Sequence, residues 1–423
     1  MIKKLLKYYK QPIIRDNVIL FLGNSLGAFF TFLFHFYMGR RLGPEDYGTL
    51  GAILALVYLF TIPVTTIQTS IAKFTSNFKA KKKYNEIGYL LKASLRKLLI
   101  FGVIATIIFI SLTSLISDYL HISISPLFIL SPYIIFSFLL SINRGILQGL
   151  QRFKSLSVNL IFEGLIKLVL GILFILIGFK LNGAIGAIVG SFFAILIISL
   201  YQLKDILRIK IKKFNSKNVY RYTIPVLLTL VSLTAFYSLD ILLVKHLFSS
   251  QEAGYYVAVS LLAKILFFGS LPISQVMFPK VSELYIKNKS NKNVLFKSIL
   301  IMLIFILPII LLYFLFPETI INLFYGKAYL AASSLLGWFG IVMGLFSIIY
   351  LISFYNLSIH KRNFLYILIL FNILEVILIY LFHKNLVQVV SILTILMFIL
   401  ALIMFLKVLR IKDGKTLNNN SSL

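Results

Sequence analysis

Five ionisable side chains lie inside long apolar runs of this 423-residue chain: Glu163, Lys167, Asp240, Lys264 and Glu375. A charged group in such surroundings is costly unless it is paired or hydrated, so residues of this kind commonly mark the path of an ion or a polar substrate. Carboxyl groups can exchange a proton or bind a cation, whereas lysines attract anions. The chemistry that this set offers is reversible binding of charge within a membrane.

Two spacings bring polar groups together on one helical face. Glu163 and Lys167 are four residues apart, so they can form an internal ion pair. Alternatively, an anionic substrate competes for Lys167 and releases Glu163 to take a proton. Asn372 and Glu375 are three residues apart, which sets an amide beside a carboxyl group.

The elements that position these residues are predicted to be transmembrane helices. Hydrophobic residues make up 60% of the chain, charged residues 13%, and the mean hydropathy is +0.96, which lies outside the range of soluble domains. A helix needs about 20 apolar residues to cross the bilayer. Such runs occur at about residues 17–38, 47–72, 98–117, 122–142, 157–179, 184–203, 222–244, 254–279, 298–316, 331–355, 364–382 and 387–406. The predicted fold class is an all-α integral membrane protein with about twelve spans.

The distribution of basic residues predicts the orientation. The formal net charge is +29, and most of the 42 lysines and arginines fall in alternate connections, beginning with the N-terminal segment. By the positive-inside rule, both termini then face the cytoplasm of a multi-pass protein of the cell (inner or plasma) membrane. The same charges would contact anionic membrane lipids. Because they are spread over many connections rather than one face, no nucleic-acid partner is expected.

A degenerate internal repeat indicates two related halves. Arg40–Leu56 and His246–Leu262 each contain a basic helix end, an acidic turn, an adjacent glycine and tyrosine, and a small-residue apolar helix. Each copy is followed by a proline, Pro63 or Pro272, that could bend its helix as a gate, although a static kink is the simpler interpretation. The predicted domains are a six-helix bundle (1–203), a cytoplasmic basic linker (204–221) and a second six-helix bundle with a short cytoplasmic tail (222–423).

Motifs for enzymatic chemistry do not occur in the sequence. There is no cysteine, no DxD-like pair, no His/Asp/Glu cluster with metal-ligand spacing and no glycine-rich phosphate loop. The outer connections are short, whereas a membrane glycosyltransferase or glycan polymerase normally needs a sizeable loop or domain outside the membrane. We therefore expect no catalytic residues, no metal site and no cofactor. Two six-helix halves suit a transporter in which one half rocks against the other around a polar cavity.

Four short motifs occur in the order and spacing of a known family. They are Arg41–Gly48 (RLGPEDYG), Arg144–Phe153 (RGILQGLQRF), Asp240–Lys245 (DILLVK) followed by Gly254 and Tyr255, and Gly326–Tyr329 (GKAY). In these motifs and in the twelve-span pattern, essentially the whole chain resembles the Wzx-type polysaccharide flippases of the MOP superfamily, which includes the MATE exporters and the lipid II flippases. The resemblance implies a MATE-like fold. It also implies transfer of isoprenoid-(pyro)phosphate-linked oligosaccharides from the cytoplasmic to the outer leaflet.

The resemblance further implies where the substrate binds. Spans one, two, seven and eight line the central cavity in that family, so Lys264, on span eight, is the favoured contact for the substrate phosphate. The other cations expected along the path are Lys167, Arg40, Arg41 and Arg144. Each has a structural alternative. For the two lysines it is neutralisation by a nearby acid, for Arg40 and Arg41 a topology-neutral role at the outer surface, and for Arg144, on a cytoplasmic connection, positive-inside anchoring.

A coupling ion is expected at acidic side chains. Lipid II flippases bind sodium between spans seven, eleven and twelve, and by resemblance this indicates a set of polar residues on those spans: Asp240, Asn372, Glu375, Ser391 and Thr394. The acid on span eleven is here a glutamate one position closer to the asparagine, so H⁺ is as suitable as Na⁺. Glu163 is a further candidate for the proton. The alternative for Asp240 is an ion pair with Lys245 or His246 at the outer surface.

Other functions stay open at this point. A MATE-like, cation-coupled exporter of amphiphilic small molecules would require an acidic cavity, and two deep lysines against three acids do not decide this by charge alone. A membrane glycan polymerase or glycosyltransferase is less favoured, and a non-transporting scaffold would tolerate charge substitutions at Lys264 and Asp240. A flippase is expected to work with the glycosyltransferases and the glycan polymerase of its pathway.

Overall fold

Helices form nearly all of the computed structural model, which describes residues 12–210, 212, 224–287, 289–359, 361 and 363–410. No strand occurs in these ranges, so the all-α prediction is confirmed. Up to residue 210 the helices are α1 (Pro12–Ala80), α2 (Tyr84–Ser111), α3 (Thr113–Leu120), α4 (Ser125–Leu130), α5 (Pro132–Gly149), α6 (Phe153–Leu176), α7 (Lys180–Gln202) and α8 (Lys204–Arg208). From residue 224 they are α9 (Ile224–Ala235), α10 (Leu239–Leu247), α11 (Ser250–Ile286), α12 (Lys292–Leu315), α13 (Pro317–Phe324), a 3₁₀ segment (Lys327–Leu335), α14 (Leu336–Ser358), α15 (Phe364–Leu381) and α16 (Leu386–Leu409).

The long element α1 consists of two helices joined at Gly43. This residue has φ 75° and ψ 174°, a combination that glycine adopts readily and that is costly for a residue with a Cβ atom. As one straight helix, the 62 residues of Ile19–Ala80 would extend about 90 Å, three times the thickness of the hydrocarbon core. When this segment is counted as two spans, the 11 candidate membrane helices of the described residues supply the twelve predicted spans. The protein is a multi-pass membrane protein.

The chain divides into two units whose boundaries differ from those expected. Unit 1 comprises Met1–Leu42 and Leu56–Leu227, and unit 2 comprises Gly43–Ala55 and Leu228–Leu423. Residues 43–55 therefore belong with the C-terminal half, although the sequence assigns them to the bundle 1–203. Of the predicted linker 204–221, only 204–210 and 212 are among the described residues, and they include the short helix α8.

Helix α5 is central in unit 1. Helices α2 and α7 pack on it, and α6 packs along α7. Near its C-terminal end, aliphatic side chains from α1, α2, α5 and the start of α8 form one buried cluster: Ile71, Ile87, Leu91, Ile142, Ile146, Leu147, Leu203 and Ile206. This packing buries the last turns of α5, which carry Arg144.

In unit 2 the central helix is α14, which packs against α11, α12 and α16. One of its buried contacts joins Phe339 of α14 to Tyr256 of α11, with ring centroids 4.8 Å apart. Helix α10 packs against α11 and α15. Three ionisable residues are thereby held on neighbouring helices of one unit: Asp240 on α10, Lys264 on α11 and Glu375 on α15.

The two copies of the internal repeat pack against each other within unit 2. Gly48 and Gly254 lie face to face, and a Cβ atom added at Gly254 would overlap the backbone carbonyl group of Pro44. Beside this contact the rings of Tyr47 and Tyr325 are buried, and their hydroxyl oxygens are 3.2 Å apart. The absence of a side chain at Gly254 allows the backbones to approach this closely.

Gly254→Ala is expected to lower the free energy of unfolding by about 1–3 kcal/mol, because the added methyl group meets backbone that cannot rotate away. The measurement is the thermal unfolding of the detergent-purified protein. Gly186→Ala is the matched control, since a Cβ atom there meets its nearest neighbour at an ordinary 3.5 Å. Equal melting temperatures for the two variants would contradict the close approach at Gly254.

Candidate functional site

A helix interruption lies within the membrane-spanning part of unit 2. Helix α9 ends at Ala235 and α10 begins at Leu239, so the backbone of residues 236–238 is outside a regular helix. Interrupted helices expose backbone groups at membrane depth and are common where transporters bind substrates or ions. No glycine or proline occurs at this point, so the sequence gives no local signal of the interruption.

Lys264 binds the interrupted segment. Its ammonium group donates a hydrogen bond of 2.9 Å to the backbone carbonyl of Tyr237 and lies 5.4 Å from the centre of the Tyr237 ring. The side chain is only 1% exposed. Lys264 is thus held inside unit 2 by a carbonyl oxygen and an aromatic face, both of which stabilise a cation, and it does not point towards acyl chains.

Asp240, in the first turn of α10, is completely buried. Its Oδ2 accepts a hydrogen bond of 2.8 Å from the hydroxyl group of Tyr256, and Lys264 is within electrostatic range. Oδ1 has no hydrogen-bond partner among the described residues. The alternative of a pair with Lys245 is wrong, because the ammonium group of Lys245 donates instead to Ser250 Oγ at 2.6 Å.

Glu375 and Asn372 lie on the buried face of α15, as their spacing predicts. Glu375 is 0% exposed, is in electrostatic range of Asp240, and neither carboxyl oxygen has a hydrogen-bond partner among the described residues. Asn372 donates to the backbone carbonyls of Ser232, at 3.1 Å, and Leu368, at 2.8 Å, whereas its Oδ1 is also without a described partner.

We call Asp240, Tyr256, Lys264, Asn372 and Glu375 the carboxylate cluster. It sets two buried carboxyl groups against one lysine. If both acids are ionised, the cluster carries one uncompensated negative charge, which is costly in a dry interior. A proton or a monovalent cation at the unpartnered oxygens would neutralise it. Of the two residues expected from span twelve, Ser391 is exposed, and both it and Thr394 donate to the backbone of their own helix.

Unit 1 contains a second buried set of charged side chains. The sequence predicted only some of them to lie within a membrane span. Arg144 was expected on a cytoplasmic connection, but α5 continues to Gly149 and the arginine lies within the span Ser125–Gly149. Its Nη2 is 2.6 Å from Oε2 of Glu163, and the two side chains are 12% and 18% exposed. Arg144 therefore has a largely buried acidic partner, and its anchoring at the membrane surface stays a prediction.

Lys167 is not the ion-pair partner of Glu163. Among the described residues no salt bridge joins them, and Nζ of Lys167 contacts Oγ1 of Thr31 at 3.5 Å. The lysine is 9% exposed and remains within electrostatic range of Glu163 and Arg144. This arginine cluster, consisting of Arg144, Glu163, Lys167 and Thr31, has two cations and one acid, and hence an excess of positive charge.

The remaining candidates are two arginines and two prolines. Arg40 and Arg41 are exposed near the end of the first half of α1, where the guanidinium group of Arg41 lies 5.6 Å from the centre of the Tyr37 ring. Helical structure continues through Pro63 in α1 and through Pro272 in α11. Within the described ranges, no three His, Cys, Asp or Glu residues are arranged to hold a metal ion.

Arg152, in the same motif as Arg144, has a different and structural role. Both of its terminal nitrogens donate to the carboxylate of Asp205, and one also donates to the backbone carbonyl of Gln202 at 3.1 Å. These hydrogen bonds hold the pKa of the Asp205 carboxyl group below its usual value. They fasten the start of α6 to the end of α7 at the membrane surface.

Asp205→Asn is expected to destabilise the protein by less than about 1 kcal/mol at neutral pH, because the pair is partly exposed. Since folding lowers the pKa of Asp205, its contribution is present above the usual value of about 4 and is lost as the pH falls through the folded-state pKa. The difference in melting temperature from wild type should therefore shrink on acidification. A melting-temperature difference that stays constant or grows on acidification would contradict the pairing of Asp205 with Arg152.

The sequence model of the family described as "Polysaccharide biosynthesis protein" matches residues 13–285, more than half of the chain. The capsular polysaccharide biosynthesis protein CapF of Staphylococcus aureus is 24% identical over 330 residues, which cover 73% of this chain and 76% of that protein.

Solved structures with a similar fold include a transporter and a flippase. An inward-facing multidrug resistance transporter of the MATE family, MOP superfamily, has a TM-score of 0.78 at 15% identity, over 93% of this chain and 96% of that chain. The lipid II flippase MurJ, in an inward closed conformation, has a TM-score of 0.72 at 19% identity, over 93% of this chain and 87% of that chain. These are folds of transporters and flippases rather than enzymes. The chain belongs to the polysaccharide biosynthesis protein family and has the fold of the MOP superfamily transporters.

Proposed function

We propose that the protein is a flippase that moves an isoprenoid-(pyro)phosphate-linked oligosaccharide from the cytoplasmic to the outer leaflet by alternating access, in the synthesis of a cell-surface polysaccharide. The family match supports the pathway, and CapF is named for capsular polysaccharide biosynthesis. MurJ, of similar fold, is named as a flippase of lipid II. The observation that carries the proposal is that each unit buries lysine or arginine within a membrane span.

The buried cations suit the anionic part of such a substrate. A phosphate in low dielectric needs charged or strongly donating partners. Lys264 supplies a buried ammonium group that donates a hydrogen bond to the neutral backbone carbonyl of Tyr237. Lys167 likewise has a hydroxyl group as its described hydrogen-bond partner. In this proposal each lysine is the phosphate contact of its own unit, whereas Arg144 is paired with Glu163.

The carboxylate cluster is the proposed coupling site. Because Asp240 is in electrostatic range of both Lys264 and Glu375, occupation by H⁺ or Na⁺ would neutralise the acids and make Lys264 available to the substrate phosphate. Release of the ion would return Lys264 to Asp240. The ion and the phosphate could then be bound at the same time with the charges of the cluster balanced. Their binding would be coupled through Lys264.

Reconstitution in liposomes tests the proposed function. The probe is a fluorescent short-chain isoprenyl pyrophosphate carrying an oligosaccharide, and transfer is measured as its accessibility to a membrane-impermeant quencher. Wild-type protein should accelerate transfer over protein-free liposomes, and a pH gradient or a Na⁺ gradient should change the rate. The variant Glu375→Gln should remove that gradient dependence.

A MATE-like exporter would behave differently in the same liposomes. It would move a fluorescent organic cation such as ethidium and leave the lipid-linked glycan in place. That result would contradict the flippase assignment.

The proposal also includes a location and partners. The protein would lie in the cell membrane with both termini in the cytoplasm, and it would work with the glycosyltransferases and the glycan polymerase of its pathway.

A further inference from the structure

A basic pocket lies where three helices of unit 2 meet. Helix α14 ends at Ser358, α15 begins at Phe364 and α16 ends at Leu409. The cavity between these helix ends has a volume of about 260 Å³, and its lining includes Lys361, Lys407 and Arg410. No residue of the carboxylate cluster lines it.

The three cations of this pocket are available to a ligand. Among the described residues no carboxylate lines the cavity, and none of the three cations forms a salt bridge there. The C-terminal carbonyl of α16 has its own cation, because Nζ of Lys292 donates to the backbone oxygen of Leu409 at 2.8 Å. Lys407 and Arg410 are therefore not required as donors to the Leu409 carbonyl.

Neutral donors add to the positive charge. Asn363, which lines the pocket, precedes the 18-residue helix α15 and makes no capping hydrogen bond with its side chain. The N–H groups of the first turn of a helix favour an anion, through both hydrogen bonding and the helix dipole. Asn356, which also lines the pocket, is buried, and its amide nitrogen donates to the backbone carbonyl of Ile352 at 2.9 Å.

Size and wall chemistry restrict the ligand. Sites for drug-sized molecules measure about 300–1,000 Å³, so a cavity of about 260 Å³ suits a phosphate-sized head rather than an oligosaccharide. The remaining wall is apolar and comes from the membrane helices themselves: Phe364, Ile367 and Met404. A free phosphate would gain nothing from this wall, whereas a lipid places its glycerol and acyl chains there.

We propose that this pocket binds the phosphate group of an anionic phospholipid from the surrounding leaflet. Basic pockets between membrane helices are suited to anionic lipid head groups. The inference is independent of the proposed transport function, because the pocket shares no residue with either charge cluster. By the charge distribution of the chain, the leaflet is the cytoplasmic one.

Native mass spectrometry and thermal unfolding in a neutral detergent test the proposal, with dioleoylphosphatidylglycerol as the probe and dioleoylphosphatidylcholine as the neutral comparison. Wild-type protein should retain the anionic lipid and melt at a higher temperature with it. Lys407→Gln/Arg410→Gln should weaken its binding about thirtyfold. Lys361→Gln, which removes one charge, should weaken it about fivefold and provides the test should the double variant not fold.

The control variant also removes two positive charges, but at the other end of unit 2. Lys327 and Lys384 are exposed, and Lys384 precedes α16 while the pocket lies at its end. Lys327→Gln/Lys384→Gln should bind the lipid as wild type does. Wild-type affinity in Lys407→Gln/Arg410→Gln, or an equal loss in the control, would overturn the proposal. Full competition by inorganic phosphate at millimolar concentration would instead assign the pocket to the free ion and overturn the lipid assignment.

Discussion

Replacement of Lys264 by glutamine is expected to slow transfer of the lipid-linked glycan by more than about a hundredfold. Loss of one partner of a buried, hydrogen-bonded charge commonly costs 2–5 kcal/mol, and about 3 kcal/mol corresponds to this factor. Glutamine can still donate to the carbonyl of Tyr237, so the change removes mainly the charge. The measurement is the initial rate of transfer in proteoliposomes with equal amounts of folded protein.

A double variant separates transport from stability. Lys264→Gln alone leaves Asp240 without its nearby cation, so the melting temperature should fall. In Lys264→Gln/Asp240→Asn one acid is neutralised as well, and the melting temperature should recover while transfer remains slow. Recovery of transfer in the double variant would show that Lys264 serves only to balance Asp240. Lys384→Gln, an exposed lysine of the same unit, is the matched control.

Arg144→Gln is expected to destabilise the protein by about 3 kcal/mol, because it leaves the carboxylate of Glu163 buried without its partner. The two charged atoms are 2.6 Å apart and largely shielded from solvent. Glu163→Gln should have an effect of similar size, since it leaves the guanidinium group unpaired. Thermal unfolding of the purified variants measures both losses.

The partner assignment is tested by the double variant Arg144→Gln/Glu163→Gln, which should be more stable than either single variant. Lys167→Gln provides the comparison within the same cluster. Because the described contact of Lys167 is a long one to Thr31, its removal should lower the melting temperature much less. A larger loss in Lys167→Gln than in Arg144→Gln would mean that Lys167 is the true partner of Glu163.

The twelve spans and the buried ionisable residues were predictable because their signals are local. A run of about 20 apolar residues identifies a membrane helix whatever its neighbours are. An acid or a lysine within such a run must be shielded from lipid, and Lys264, Asp240 and Glu375 are all buried. The spacing of Asn372 and Glu375 placed them on one helical face, because helical geometry is fixed along the chain.

Two features of the clusters could not be predicted from the sequence. Arg144 follows Asn143 in a polar stretch that resembles a connection, and only the packing of α5 among α2 and α7 shows that the helix continues and buries it. The interruption at residues 236–238 has no glycine or proline, and it is stabilised by the hydrogen bond from Lys264, which is distant in sequence.

What the sequence alone determined is therefore the class of protein and the set of charged residues within the membrane. Tertiary structure decided the partners: Glu163 pairs with Arg144 rather than Lys167, Asp240 with Tyr256 rather than Lys245, and residues 43–55 pack in unit 2. The physical reason is that hydrophobicity and helical periodicity depend on neighbours along the chain. Hydrogen bonds and ion pairs between helices depend on which helices pack together, and no local pattern specifies that.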